Sequence, residues 1–138
     1  MNVFDKSLLF EMSFALMRRF AFIEVPAPAD AIFRTLWSEE IADLEESVTS
    51  IIDTTLNGLL KLRAIKEIGQ AVFLDMARFA AELAGSMPSP QALAYQLFHS
   101  YLLPQFEGVD RKVGQELFNV MSSLVGGTFR EKLRKTLI

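Results

Sequence analysis

Cysteine is missing from all 138 residues. That excludes disulfides, thiolate nucleophiles, Cys-ligated zinc and iron–sulfur clusters. Histidine is nearly missing, with His99 alone. A carboxylate-bridged di-iron bundle needs a Glu-x-x-His on each of two helices, so that chemistry is excluded as well. A Ser-His-Asp arrangement would depend on His99, yet no Gly-x-Ser-x-Gly turn is present to expose a serine. Gly-x-Gly-x-x-Gly, the phosphate-cradling Gly-x-x-x-x-Gly-Lys and the EF-hand loop are all absent. The sequence therefore reads as non-enzymatic, with no cofactor and no metal. Nor does any stretch resemble a helical family signature.

Strand signals are equally scarce: there is no sustained alternation and no hairpin dipeptide between alternating runs. No segment reaches the ~20 uninterrupted apolar residues that a membrane-spanning helix requires. The greasy run Ser7 to Met17, followed by Pro-Ala-Pro-Ala at 26–29, has the outline of a signal peptide. Glu11 interrupts that run, however, and Arg18-Arg19 lie on the wrong side of it. Without cysteine or an Asn-x-Ser/Thr acceptor, a cytoplasmic location is the expectation.

What is present is apolar material: 51% hydrophobic residues and a mean hydropathy of +0.26, above the range of disordered chains. The length suits one domain, 1–138. Phe contributes 12 residues and Met 6, against three Trp and Tyr together, a mix suited to dry cores and greasy contacts.

Helix punctuation runs along the whole chain. A first helix is predicted from about Asp5 to Phe22, closed by Val25-Pro26-Ala27-Pro28. A short one follows, from Pro28 to Trp37. Ser38 then reads as an N-cap for a long segment, 39–84, in which steps of three and four alternate. Its stripe is Ile41, Leu44, Val48, Ile51, Thr55, Gly58, Leu62, Ile65, Gly69, Val72, Met76, Phe79 and Leu83. As one helix it would be about 69 Å long at 1.5 Å per residue, too long for a compact domain. The unbroken register favours continuity with a bend near Gly58 or Gly69, and a turn at Asn57-Gly58 is the alternative. Gly85 reads as its C-terminal stop. Ser89-Pro90 begins a helix that stops near Pro104, and Asp110 caps another that ends at Gly126-Gly127. Thr128-Phe129-Arg130-Glu131 has the spacing of a capping box for a final helix. The expected fold is an all-α bundle of five to six helices.

Two surfaces are candidates for contact. The opening helix is apolar nearly all round, with Phe4, Leu8, Met12 and Leu16 on one stripe and Phe10, Phe14, Met17 and Ala21 on another. Such a helix is either central or sandwiched against a partner. The last helix crowds Arg130, Lys132, Arg134 and Lys135 around Glu131, while Phe129, Leu133 and Leu137 mark an apolar side. A basic amphipathic helix can dock in an acidic groove or lie on an anionic membrane, here through 128–138, although cations also belong at a helix C-terminus for the dipole alone. A net charge of −3 and no second basic patch argue against nucleic acid.

Tyr95 and His99, four apart, share a helix face and are candidate anchors for an apolar ligand, with Arg78 as a third. Glu39, Asp43 and Glu46 would share a face too, but carboxylates at a helix start are most simply solvated groups that complement the dipole. The reading is a non-catalytic interaction or assembly module, either a homo-oligomer, with a dimer the first expectation, or an accessory subunit of a larger complex. The alternative is a carrier of an apolar small molecule or lipid in a Phe/Met-lined pocket.

Overall fold

A computed structural model describes residues 19, 23, 25–83, 86 and 89–138. The predicted helix at Asp5–Phe22, with Phe4, Leu8, Phe10, Phe14 and Met17, lies outside the described residues apart from Arg19, as does Gly85. Among those described there are six α-helices and no strand. The expected all-α bundle of five to six helices is what forms. None of these helices is long and apolar enough to cross a membrane.

Helix α1 spans Asp30–Glu40 and begins where Ala29 is extended after the prolines, with Asp30 in its first turn. It buries Phe33 and Trp37, and Ile41 follows one turn later, 1% exposed. That 33–37–41 stripe carries α1 past Trp37, so Ser38 sits inside its last turns and caps nothing.

The spacing predicts one helix over 39–84; the structure divides it. Helix α2 spans Glu46–Leu60 and tightens into a 3-10 turn at Lys61–Ala64, and α3 spans Gln70–Leu83. The chain turns at 41–45 and again at 65–69. The stripe survives these turns because their own apolar residues pack inward: Ile41 is buried, Leu44 and Ile65 are half-buried, and Ile68 is buried beside the stripe's Gly69. Periodicity alone cannot distinguish that from a helix. The buried face of α2 keeps the stripe positions Thr55 and Gly58 but extends to one side of it, taking in Ile52, Leu56 and Leu59 while Ile51 is 41% exposed. Gly58 makes no turn. It lies inside α2, where a Cβ would stand 2.5 Å from Leu124 Cδ2, so the glycine allows α2 and the helix bearing Leu124 to approach closely.

Helix α4 spans Pro90–Leu97; Ser89 Oγ accepts from the Ala92 N–H at 3.1 Å, and Pro90 occupies the first turn. The chain continues past Pro104 through a π-helical turn, Phe98–Leu102, and a 3-10 turn, Leu103–Phe106. Pro104 is the second residue of that last turn, where its missing N–H is no loss. Helix α5 spans Arg111–Val125, with the Asp110 carboxylate accepting from the Val113 N–H at 2.9 Å.

Gly126 and Gly127 then adopt φ of 53° and 49°, which glycine enters without a Cβ penalty, and the chain reverses directly into α6, Gly127–Leu137. Because the helix starts at Gly127, Thr128 lies inside it and no capping box forms. The two helices form an antiparallel hairpin so tight at its open end that a Cβ on Gly114 would collide with the Leu137 carbonyl oxygen.

An aromatic trio anchors the core. Phe33 meets Phe73 edge-on at 5.3 Å and Trp37 stacks on Phe73 at 6.0 Å. The Trp37 indole N–H donates to Asp53 Oδ1 at 2.8 Å; Asn57 donates to the other oxygen of that carboxylate and accepts from Arg34 Nε–H at 2.6 Å. Helix α1 packs on α2 and α3, whereas α6 packs on α5 and α4. The first and last described helices therefore pack on different partners around one core.

Candidate interaction surface

Helix α6 divides its residues as an amphipathic sequence should. Leu133 is 1% exposed, and Phe129 and Leu137 pack half-buried against the core. Arg130, Lys132, Arg134 and Lys135 all face solvent. The apolar side that would enter an acyl layer is thus spent within the chain's own bundle, and the cations are what the helix offers outward.

Two of those cations lie over aromatic rings. Arg130 lies over Phe118 of α5, its guanidinium carbon 5.9 Å from the ring centre. Lys132 Nζ lies 5.7 Å from the Phe129 ring and 6.0 Å from that of Tyr95 on α4. These distances sit at the outer limit of a cation–π contact, so each contributes about 0.5 kcal/mol at such exposed sites. Tyr95 stacks on Phe129 at 4.9 Å and on His99 at 5.8 Å, one helical turn along. The ligand anchors expected from sequence, Tyr95 and His99, therefore join Lys132 in a single ladder, His99–Tyr95–Phe129, edged by an ammonium. Neither Phe118 nor Phe129 stands out as a site residue in sequence; only the packing of α6 across α4 and α5 brings them in.

Tyr95 and His99 do not line a cavity found at the other end of the hairpin. That cleft, about 350 Å³, is walled by Leu103, Phe106, Val109, Leu117 and Leu137, with Arg111 at its edge.

The hairpin is also an electrostatic unit. Residues 111–138 hold six of the 14 Lys and Arg but two of the 17 acidic residues, so this part carries +4 and the rest of the chain −7. The acidic counterpart is the corner between α1 and α2. Glu39 and Glu40 fall in the last turn of α1, not at a helix start, and only Glu46 begins a helix. At a helix C-terminus the dipole opposes carboxylates. Glu40 is compensated: Arg78 grips it in bidentate fashion, Nη2 to Oε1 at 2.7 Å and Nε to Oε2 at 3.1 Å. The hydrogen bonds from Arg78 hold the Glu40 carboxyl below its usual value, and in return raise that of Arg78. Arg78 is thereby engaged in an ion pair, away from Tyr95 and His99. Among the described residues no three acidic or histidine side chains converge as a metal site.

One charged residue has a role that local sequence patterning does not reveal. The Arg63 guanidinium, its side chain 11% exposed, lies 4.0 Å from the Phe33 ring centre. It donates to Pro28 O at 2.9 Å and to Glu67 at 2.8 Å, and pairs with Asp30. It clasps the start of α1 onto the end of α2, a structural task.

No family model matches the chain, and neither curated proteins nor solved structures give a significant match.

Proposed function

We propose that this chain is a non-catalytic helical module that works by associating with protein, in a cytoplasmic setting, through the cation–aromatic face of α4 and α6. The observation that carries the reading is the division of α6, with Leu133 sunk in the core and four cations outside, beside half-exposed Tyr95 and Phe129. Arg130, Arg134 and Tyr95 are of the residue types enriched at protein contacts. The apolar sequence of Phe4, Leu8, Phe10, Phe14 and Met17 is a second reason to favour association.

Light scattering coupled to size exclusion, together with titration of fluorescent polyglutamate, tests this. The purified chain should exceed a monomer's 15.5 kDa or bind the polyanion, and the variant R130A/K132A/R134A/K135A should lose polyglutamate binding at unchanged helicity. A monomer that binds no acidic polypeptide refutes it.

A carrier of an apolar small molecule is the second reading; the 350 Å³ cleft under Leu137 has the size of a ligand pocket, although Phe106 is its one aromatic residue, it holds no Met, and Asp110, Arg111 and Thr136 share its lining. Native mass spectrometry of the freshly purified chain decides it, since a carrier retains a co-purified molecule.

A further inference from the structure

We infer that the cationic face of α6 docks, head to tail, on the acidic α1–α2 corner of a second copy of this chain. The inference rests on the interaction reading above and names the partner.

Four observations converge. First, charge is partitioned, +4 in residues 111–138 against −7 elsewhere, so each copy carries a surface and its electrostatic complement. Second, among the described residues none of the four α6 cations forms an ion pair; Arg130 and Lys132 rest on rings instead. Third, Glu39, Asp43, Glu45 and Glu46 are exposed and likewise make no ion pair among the described residues, and Glu39 stands where the dipole of α1 disfavours it. A local rule broken without compensation inside the fold points to a purpose outside it.

Fourth, α1 packs on α2 and α3 while α6 packs on α4 and α5, and no ion pair among the described residues joins the α6 cations to the corner. Pairing of these two patches therefore falls between copies. Two different patches on different sides make a heterologous contact, which propagates into a ring or an open chain and does not close as a simple two-fold dimer.

Competing occupants fit less well. An anionic membrane would want the apolar side of α6, which the core occupies. A nucleic acid would meet the −7 of the remaining chain.

The test uses the full chain in sedimentation velocity from about 10 to 500 µM. At 50 mM NaCl the average mass should climb from 15.5 kDa with concentration and pass twice that value, levelling off only at the mass of a closed ring. At 500 mM NaCl the association constant should fall about tenfold or more, because exposed charge pairs are screened within ~5 Å. K132E/K135E and E39K/E45K, all at exposed positions, should each stay monomeric, and an equimolar mixture of the two should associate again. A wild type monomeric throughout, or association indifferent to salt and to both charge reversals, overturns the inference. In the first case, continued binding of polyglutamate keeps the interaction reading with another acidic protein; loss of that too sinks both. Salt-indifferent association would leave self-assembly standing but move it off α6. Tighter binding to phosphatidylserine vesicles or duplex DNA than to polyglutamate would likewise overturn the assignment of α6 to protein.

Discussion

Replacing Leu133 by alanine is the most direct probe of the division on which the α6 surface rests. Leu133 is the one residue of α6 that is fully buried, at 1% exposure, with Phe129 and Leu137 flanking it half-buried. Truncating a buried leucine removes its transfer free energy and leaves a cavity, together about 2–5 kcal/mol. Helix α6 is terminal and can settle inward to fill part of the void, so the lower half of that range applies, about 3 kcal/mol. A domain of this size has roughly 7–20 kcal/mol of stability, at 0.05–0.15 kcal/mol per residue. The chain should stay folded, but its melting temperature should fall by about 10 °C, taking 3–5 °C per kcal/mol for this length. Urea unfolding followed by circular dichroism, with K132A as a control expected within ~0.5 kcal/mol of wild type, measures it. Were L133A as stable as K132A, the apolar side of α6 would not lie in the core. The membrane-surface reading of 128–138 would then regain the face it needs, and the case for a protein partner would lose its carrying observation.

Three further outcomes follow from single contacts. W37F keeps the ring on Phe73 but removes the 2.8 Å bond to Asp53, and should cost about 1.5–3 kcal/mol in urea unfolding, the range for a hydrogen bond to a charged group. G58A should be neutral or destabilising in wild type, because the new Cβ meets Leu124 Cδ2 at 2.5 Å; in an L124A background it should stabilise by up to about 1 kcal/mol, the helix-propensity gain, and additive effects in the double-mutant cycle would refute that contact. The Glu40–Arg78 pair predicts a pH dependence. Glu40's folded-state pKa is depressed, so its contribution is present above the usual carboxylate value of 4.5 and is lost as pH falls through the folded value; E40Q should flatten that acid limb slightly, and an unchanged profile would show the pair idle.

The features legible in sequence are those whose chemistry is local. Ser89-Pro90 and Asp110 cap as read, because an N-cap needs only a side-chain oxygen two or three residues before the N–H it accepts from. Tyr95 and His99 stack as their spacing of four implies. The boundaries within 39–84 were hidden because Ile41, Leu44, Ile65 and Ile68 put apolar residues into the turns at helical spacing, and no Ser, Thr, Asp or Asn side chain caps α2 to announce its start. The Thr128 capping box fails for the opposite reason. The motif is present, but two glycines with positive φ start the helix before it.

The same distinction explains why the interaction face was visible only in halves. The four cations of α6 are a local pattern, and so is the Tyr95–His99 pair, yet read separately they suggest two unrelated sites. What joins them is the docking of α6 across α4, which lays Phe129 on Tyr95 and Lys132 at the edge of both rings. That docking depends on Leu133 below and on Gly114, whose missing side chain lets the end of α6 close against α5. The steric consequence is testable: G114V should push the last turn of α6 outward, because the obstacle is the Leu137 carbonyl, which cannot rotate aside as a leucine tip can. Amide hydrogen exchange at 134–138 should quicken while exchange in α2 and α3 is unchanged. Unaltered protection at that end would mean the last turn of α6 does not close against Gly114, and the cationic face is correspondingly less fixed.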